Sequence, residues 1–88
     1  MKFIIDDSHA WLEVSLSEYP NAIEFGTGFG YLDSSNELIY LEEDSEAYKF
    51  CEWLFNGHVD KAREIEELVV HGRSEIRNLP NNKAILKT

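Results

Sequence analysis

The chain has 88 residues, 43 % of them apolar, and carries 17 acidic side chains against eight basic ones, a formal charge of −9. That length accommodates one small core and no second domain, and two Trp, four Tyr and five Phe exclude a disordered acidic tail. Uncharged runs such as residues 25–32 fall far short of the roughly 20 apolar residues that span a bilayer, so no membrane association is expected.

The N-terminal "KFIID" and "AWLEVSL" read as strands. In the second, Trp11, Glu13 and Ser15 alternate with Leu12, Val14 and Leu16, which gives one apolar face. "DDSH" between them supplies turn residues, so residues 2–16 are expected to form a hairpin. The two Asp directly after the short apolar start are unlike a secretory signal. Pro20 and the glycines break residues 17–28 into a turn or a single helical turn. "FGYLD" and "ELIYLEE", joined by "SSN", form a second expected hairpin.

From Asp44 or Ser45 the period becomes helical, with Ala47, Phe50, Cys51 and Leu54 on one stripe and Asn56-Gly57 as the stop. A second helix is expected over residues 59–71, with Ala62, Ile65, Leu68 and Val69 on one side, Asp60, Glu64 and Glu67 on the other, and Gly72 as cap. Residues 75–88 read as a helical turn or an edge segment that frays. The expected fold is α+β in the order ββββαα, with two helices on one face of a four-stranded antiparallel sheet.

Acids dominate the first 71 residues. Residues 1–36 carry six acids and one Lys, residues 37–71 ten acids and three bases, and residues 72–88 one acid and four bases. Direct binding of nucleic acid is disfavoured, because it needs cations to displace phosphate counterions. A basic protein surface is the natural complement. Glu42, Glu43, Asp44 and Glu46 crowd the expected strand-to-helix junction. There Asp44 or Ser45 would cap the helix, worth about 0.5–2 kcal/mol, and the acids would complement its dipole. Glu42 and Glu43, still on the strand, should point to opposite faces.

Motifs for chemistry are scarce. "GTGFG", residues 26–30, has neither dinucleotide nor P-loop spacing and precedes a strand, so it reads as a loop using glycine for positive φ. His9, His58 and His71 share no ligand spacing with one another or with Cys51, and neither a metal nor another cofactor is expected. The lone cysteine sits on the helical stripe and fits a reducing compartment. No nucleophile signature occurs. Trp11, Tyr31, Tyr40 and Trp53 suit either core packing or interface anchors, and Trp53, off the stripe, is the best exposed candidate.

Taken together, "HAWLEV" (9–14), "FGYLD" (29–33), "YLEED" (40–44) and "GRSEIRNLP" (72–80) resemble segments of a group of small acidic proteins carried by bacteriophages and plasmids. The stretch before Tyr31 and "EYPNAIE" match nothing in that group. The resemblance implies an accessory mobile-element protein working in the cytoplasm of a bacterial host, with no active site to carry over. The expectation is a non-enzymatic inhibitor that occupies a basic surface of a host defence or nucleic-acid-binding protein, in the manner of a nucleic-acid mimic. Glu42, Glu43, Asp44, Glu46, Glu64 and Glu67 would supply charge, and Tyr40 and Trp53 would anchor. The alternatives are a scaffolding module that forms a homodimer through its aromatic surface or a free strand edge, and a small enzyme pairing His9 or His71 with a carboxylate.

Overall fold

Both hairpins form where the alternation places them. In the computed structural model, which describes residues 1–72 and 74–83, β1 (Lys2–Ile5) runs antiparallel to β2 (Ala10–Ser15), with Phe3 opposite Leu12 and Ile4 opposite Trp11. β3 (Tyr31–Asp33) pairs with β4 (Leu38–Glu42), Tyr31 opposite Tyr40. β4 then lies against β2, setting Leu41 beside Leu12 and Tyr40 beside Glu13.

Strand alternation sorts the side chains onto two faces. The front face carries Phe3, Leu12, Val14, Leu32, Ile39 and Leu41, and the back face Ile4, Trp11, Tyr31 and Tyr40. The front is covered by one helix of 12 residues. Its first turn, Glu43–Ala47, is π-helical and continues without a break into α1, Tyr48–Leu54. The stripe Ala47, Phe50 and Cys51 is buried there, and full burial of a side chain like Phe50 is worth roughly 1.5–3 kcal/mol. Pro20 opens a 3₁₀ turn, Pro20–Phe25, whose Ala22 and Phe25 close the same core, Phe25 meeting Phe50 edge-on at 5.5 Å. Asn56 and Gly57, both at positive φ, end the helix, with the Gly57 amide donating to the Glu52 carbonyl at 2.8 Å.

The second helix is not formed, and this corrects both the element order and the sheet. Val59–Glu64 is a 3₁₀ turn, and Glu66–Val69 is β5, parallel to β1 with Phe3 opposite Glu67 and Ile4 opposite Leu68. The sheet is therefore five-stranded and mixed, in the order β3-β4-β2-β1-β5. Ile65, Leu68, Val69 and Val70 satisfy helical spacing and strand composition equally well. What decides is β1: without β5 one edge of it would leave its amides and carbonyls unpaired. Of the expected helical stripe, Ala62 and Ile65 still pack on the front core, from the 3₁₀ turn and its end.

The back face has a cover of its own, absent from the expected architecture. After β5 the chain returns across the sheet through a 3₁₀ turn, Glu75–Asn78, and packs Ile76, Leu79 and Val70 on Ile4, Trp11 and Tyr40. It then closes the β3 edge: Leu32 donates to the Pro80 carbonyl at 2.8 Å, and Asn82 donates to the Gly30 carbonyl at 3.1 Å. The fraying read for residues 84–88 lies outside the described residues. No helix among those residues is long and apolar enough to cross a membrane.

Candidate functional site

Glu46 was expected on the surface and is in the interior, 1 % exposed. One carboxylate oxygen accepts from the Thr27 amide and hydroxyl, both at 2.7 Å, and from the Phe29 amide at 3.1 Å. The other accepts from the Glu42 amide at 3.0 Å and from Asn82 Nδ2 at 2.8 Å. Burial opposes the charge, but the amide of Glu42, the Thr27 hydroxyl and amide, and Asn82 outweigh it and hold the carboxyl below its ordinary range. "GTGFG" is thus an anion cradle whose anion is the protein's own. Gly30 is indispensable to it, since a Cβ there would fall on the Tyr40 carbonyl oxygen and lie 2.7 Å from both Asn82 Nδ2 and the Glu46 carboxylate.

The helix cap is a second correction. Glu42, not Asp44 or Ser45, caps the helix, accepting from the amides of Asp44 at 3.1 Å and Ser45 at 3.0 Å, while Glu46 reaches back to the Glu42 amide. The pair makes a reciprocal box between two acids, one at the surface and one inside.

At the far end of β1, Asp6 ties the β1–β2 turn to the returning C-terminal segment. Its carboxylate accepts from the Ser8, His9 and Ser74 amides and from Arg77, Nε at 3.0 Å and Nη2 at 2.9 Å. The Arg77 guanidinium, joined by those amides and opposed by burial, holds the Asp6 carboxyl far below the usual carboxylate range. Arg77 also stacks over Trp11, with Cζ 5.4 Å from the ring, and donates to Ser8 Oγ at 2.7 Å. It serves as an internal clamp. Arg73 lies outside the described residues.

Beside this clamp the acids converge. A hollow of about 260 Å³ opens between the β1–β2 turn and the helix start, lined by Asp6, Asp7, His9, Glu42, Glu43 and Asp44. A smaller one, about 70 Å³, adjoins it and shares Ile5, Ala10 and Glu43, with Glu67 on its far side. Four of the expected charge-bearing residues, Glu42, Glu43, Asp44 and Glu67, thus meet at one end of the sheet. Asp7 joins them, unforeseen, its carboxylate accepting from the Gly72 amide at 3.0 Å. Its position next to a turn gave no periodic signal to find it by.

The other expected residues stand elsewhere. Tyr40 is only 7 % exposed, in the back core, and its hydroxyl donates to Glu13 at 2.9 Å. Burial and the neighbouring Glu13 push that hydroxyl well above the ordinary tyrosine range. Trp53 is 48 % exposed and leans on Phe25 and Phe50. It lies ten residues beyond Glu43, about 15 Å along the helix, and so belongs to a different part of the surface. Glu64 is exposed at the end of a 3₁₀ turn, off any helical face. His9 stacks on Trp11 at 5.8 Å with Nδ1 3.0 Å from Arg77 Nη2. Cys51 is buried in the front core, which pushes its thiol up. Among the described residues no cluster of His, Cys, Asp and Glu is arranged to hold a metal ion. Comparison of the chain with protein-family models, with curated proteins and with solved structures gives no match.

Proposed function

We propose that the chain is a non-enzymatic acidic binding module whose acid-lined end receives a basic surface of a nucleic-acid-binding host protein. The observation that carries the reading is the meeting of Asp7, Glu42, Glu43, Asp44 and Glu67 around two adjoining hollows, where Arg77, a described cation nearby, is already paired with Asp6. Glu43, Asp44 and Glu67 are exposed. Acids of one sign around concave walls focus the field and attract an opposite surface. Tyr40 and Glu46 play no part at this surface, because their polar groups are committed inside the fold.

The test is affinity capture from a bacterial lysate with the wild-type chain and with the triple variant Glu43→Lys/Asp44→Lys/Glu67→Lys, at low and high salt. The reading expects nucleic-acid-binding proteins on the wild type at low salt, released at high salt and missing from the variant. The same proteins retained by the variant would refute it. Self-association, the competing reading, is favoured by one observation, the exposed strand β5 at the open edge of the sheet, with Leu68 45 % and Val69 62 % exposed.

A further inference from the structure

The two edges of the sheet are treated differently. The β3 edge is closed by residues 80–82, through the Leu32–Pro80 and Asn82–Gly30 bonds and a bridge from Tyr31 to Asn81. The β5 edge has no such cover among the described residues. All four residues of β5 are exposed, its register with β1 runs through without a bulge, and it holds no Pro; its guards are its shortness and the charges of Glu66 and Glu67, which turn away a strand that brings no cations. Val70 donates to the Ile5 carbonyl at 2.7 Å, so by strand alternation Glu66 and Leu68 also turn their backbone groups toward β1. Glu67 and Val69 turn theirs outward.

The side chains beside this edge specify what would pair with it. Glu67 shares the front face with Phe3 and borders the small hollow with Glu43. Leu68 shares the back face with Ile4 and borders a groove of about 370 Å³ walled by Glu75 and Ile76. Directly opposite cross-strand pairs stabilise a sheet when charges are opposite or both residues are apolar. A neighbouring strand therefore needs cations against Glu66 and Glu67 and apolar side chains against Leu68 and Val69. A second copy of β5 laid antiparallel meets only the apolar need: Leu68 or Val69 would face its own counterpart, but neither Glu66 nor Glu67 would find a Lys or Arg opposite, on chains of formal charge −9.

We infer that the outer edge of β5 is a strand-addition site for an extended segment of a partner protein, two apolar residues followed by two Lys or Arg, paired antiparallel. The inference rests on the acidic-module reading and adds to it the form of the partner segment. Main-chain hydrogen bonds along the edge supply affinity and the alternate side chains supply selectivity.

The test titrates the full chain into a fluorescein-labelled peptide, Ser-Gly-Val-Leu-Lys-Arg-Gly-Ser, and follows anisotropy. The expected result is saturable binding, weakened about tenfold, one hydrogen bond's worth, by N-methylation of the peptide amides that meet β5. Glu66→Gln/Glu67→Gln weakens it several-fold, and binding slows hydrogen exchange at the Glu67 and Val69 amides. Equal binding of the N-methylated peptide, or of one with Glu-Asp in place of Lys-Arg, overturns the inference. So does absence of peptide binding, including the case in which sedimentation shows two copies joined through protected Glu67 and Val69 amides. These failures are separable from failure of the parent reading. That reading is judged by Glu43→Lys/Asp44→Lys, at positions off β5, and it survives if charge-dependent binding persists without backbone pairing.

Discussion

A carboxylate that accepts five hydrogen bonds inside a protein, with no described cation beside it, depends on donors fixed in place, and Glu46 has three backbone amides, a hydroxyl and a side-chain amide. Replacing it by Gln leaves the geometry but sets an amide nitrogen against donors. Glu46→Gln is expected to cost about 2–4 kcal/mol at neutral pH, read from chemical denaturation. Because the folded-state pKa lies below the unfolded one, the stabilisation by Glu46 is complete above the ordinary Glu range near ~4.3 and is lost as pH falls through the folded value. The difference between wild type and variant should therefore shrink on acidification, while Asp6, shifted in the same direction, keeps some acid sensitivity in both. Gly30→Ala attacks the same cradle by crowding, because the Tyr40 backbone cannot withdraw as a flexible side chain would. It is expected to lower stability by about 1–3 kcal/mol or more, visible as a fall in melting temperature.

None of this cradle was legible from spacing. "GTGFG" looks like a phosphate loop with the wrong period, and only the fold shows that its amides turn inward to a side chain 17 to 19 residues away. Glu46 sits among acids that are on the surface, and nothing local sets it apart from Asp44. The residues that could be read were those whose role is set by periodicity. Leu12, Val14, Phe50 and Cys51 are buried as their alternation and helical stripe required.

Elements were legible in proportion to how far one pattern excluded another. Both hairpins and the main helix have a single consistent period. Residues 59–71 carry two, and the open edge of β1, a tertiary fact, selects the strand. The cover on the back face was missed for a related reason. "SEIRNLP" is too short for periodicity, and its weight lies in one residue, Ile76, against Ile4, Trp11 and Tyr40. Ile76→Ala is expected to cost about 2–4 kcal/mol and to speed amide exchange in β1 and β2, since the segment it anchors covers that face. Were the C-terminal segment a dispensable tail, exchange in those strands would be unchanged.

Across the whole molecule the charges divide by position more than by number. Two of the described cations, Lys2 and Arg77, are turned toward Glu13 and Asp6, at 3.9 Å and 2.9 Å, and the hollows bordered by Asp7, Glu42–Asp44 and Glu67 are lined by no described Lys or Arg. Surface fields of this kind fade over roughly 10 Å at 0.1 M salt, so binding driven by them must weaken as salt is raised. Trp53, leaning on Phe25 and on the buried Phe50, lies at another part of the surface, and binding there would be indifferent to salt.

The most direct measurement is a two-dimensional amide NMR titration of the wild-type chain with hexa-arginine at low and then moderate salt. Shifts are expected to concentrate at Asp7, residues 42–45 and Glu67, to reverse with salt and to vanish in Glu43→Lys/Asp44→Lys/Glu67→Lys. Shifts centred on Trp53 and its neighbours, or spread evenly over the surface and kept by the variant, would contradict that expectation.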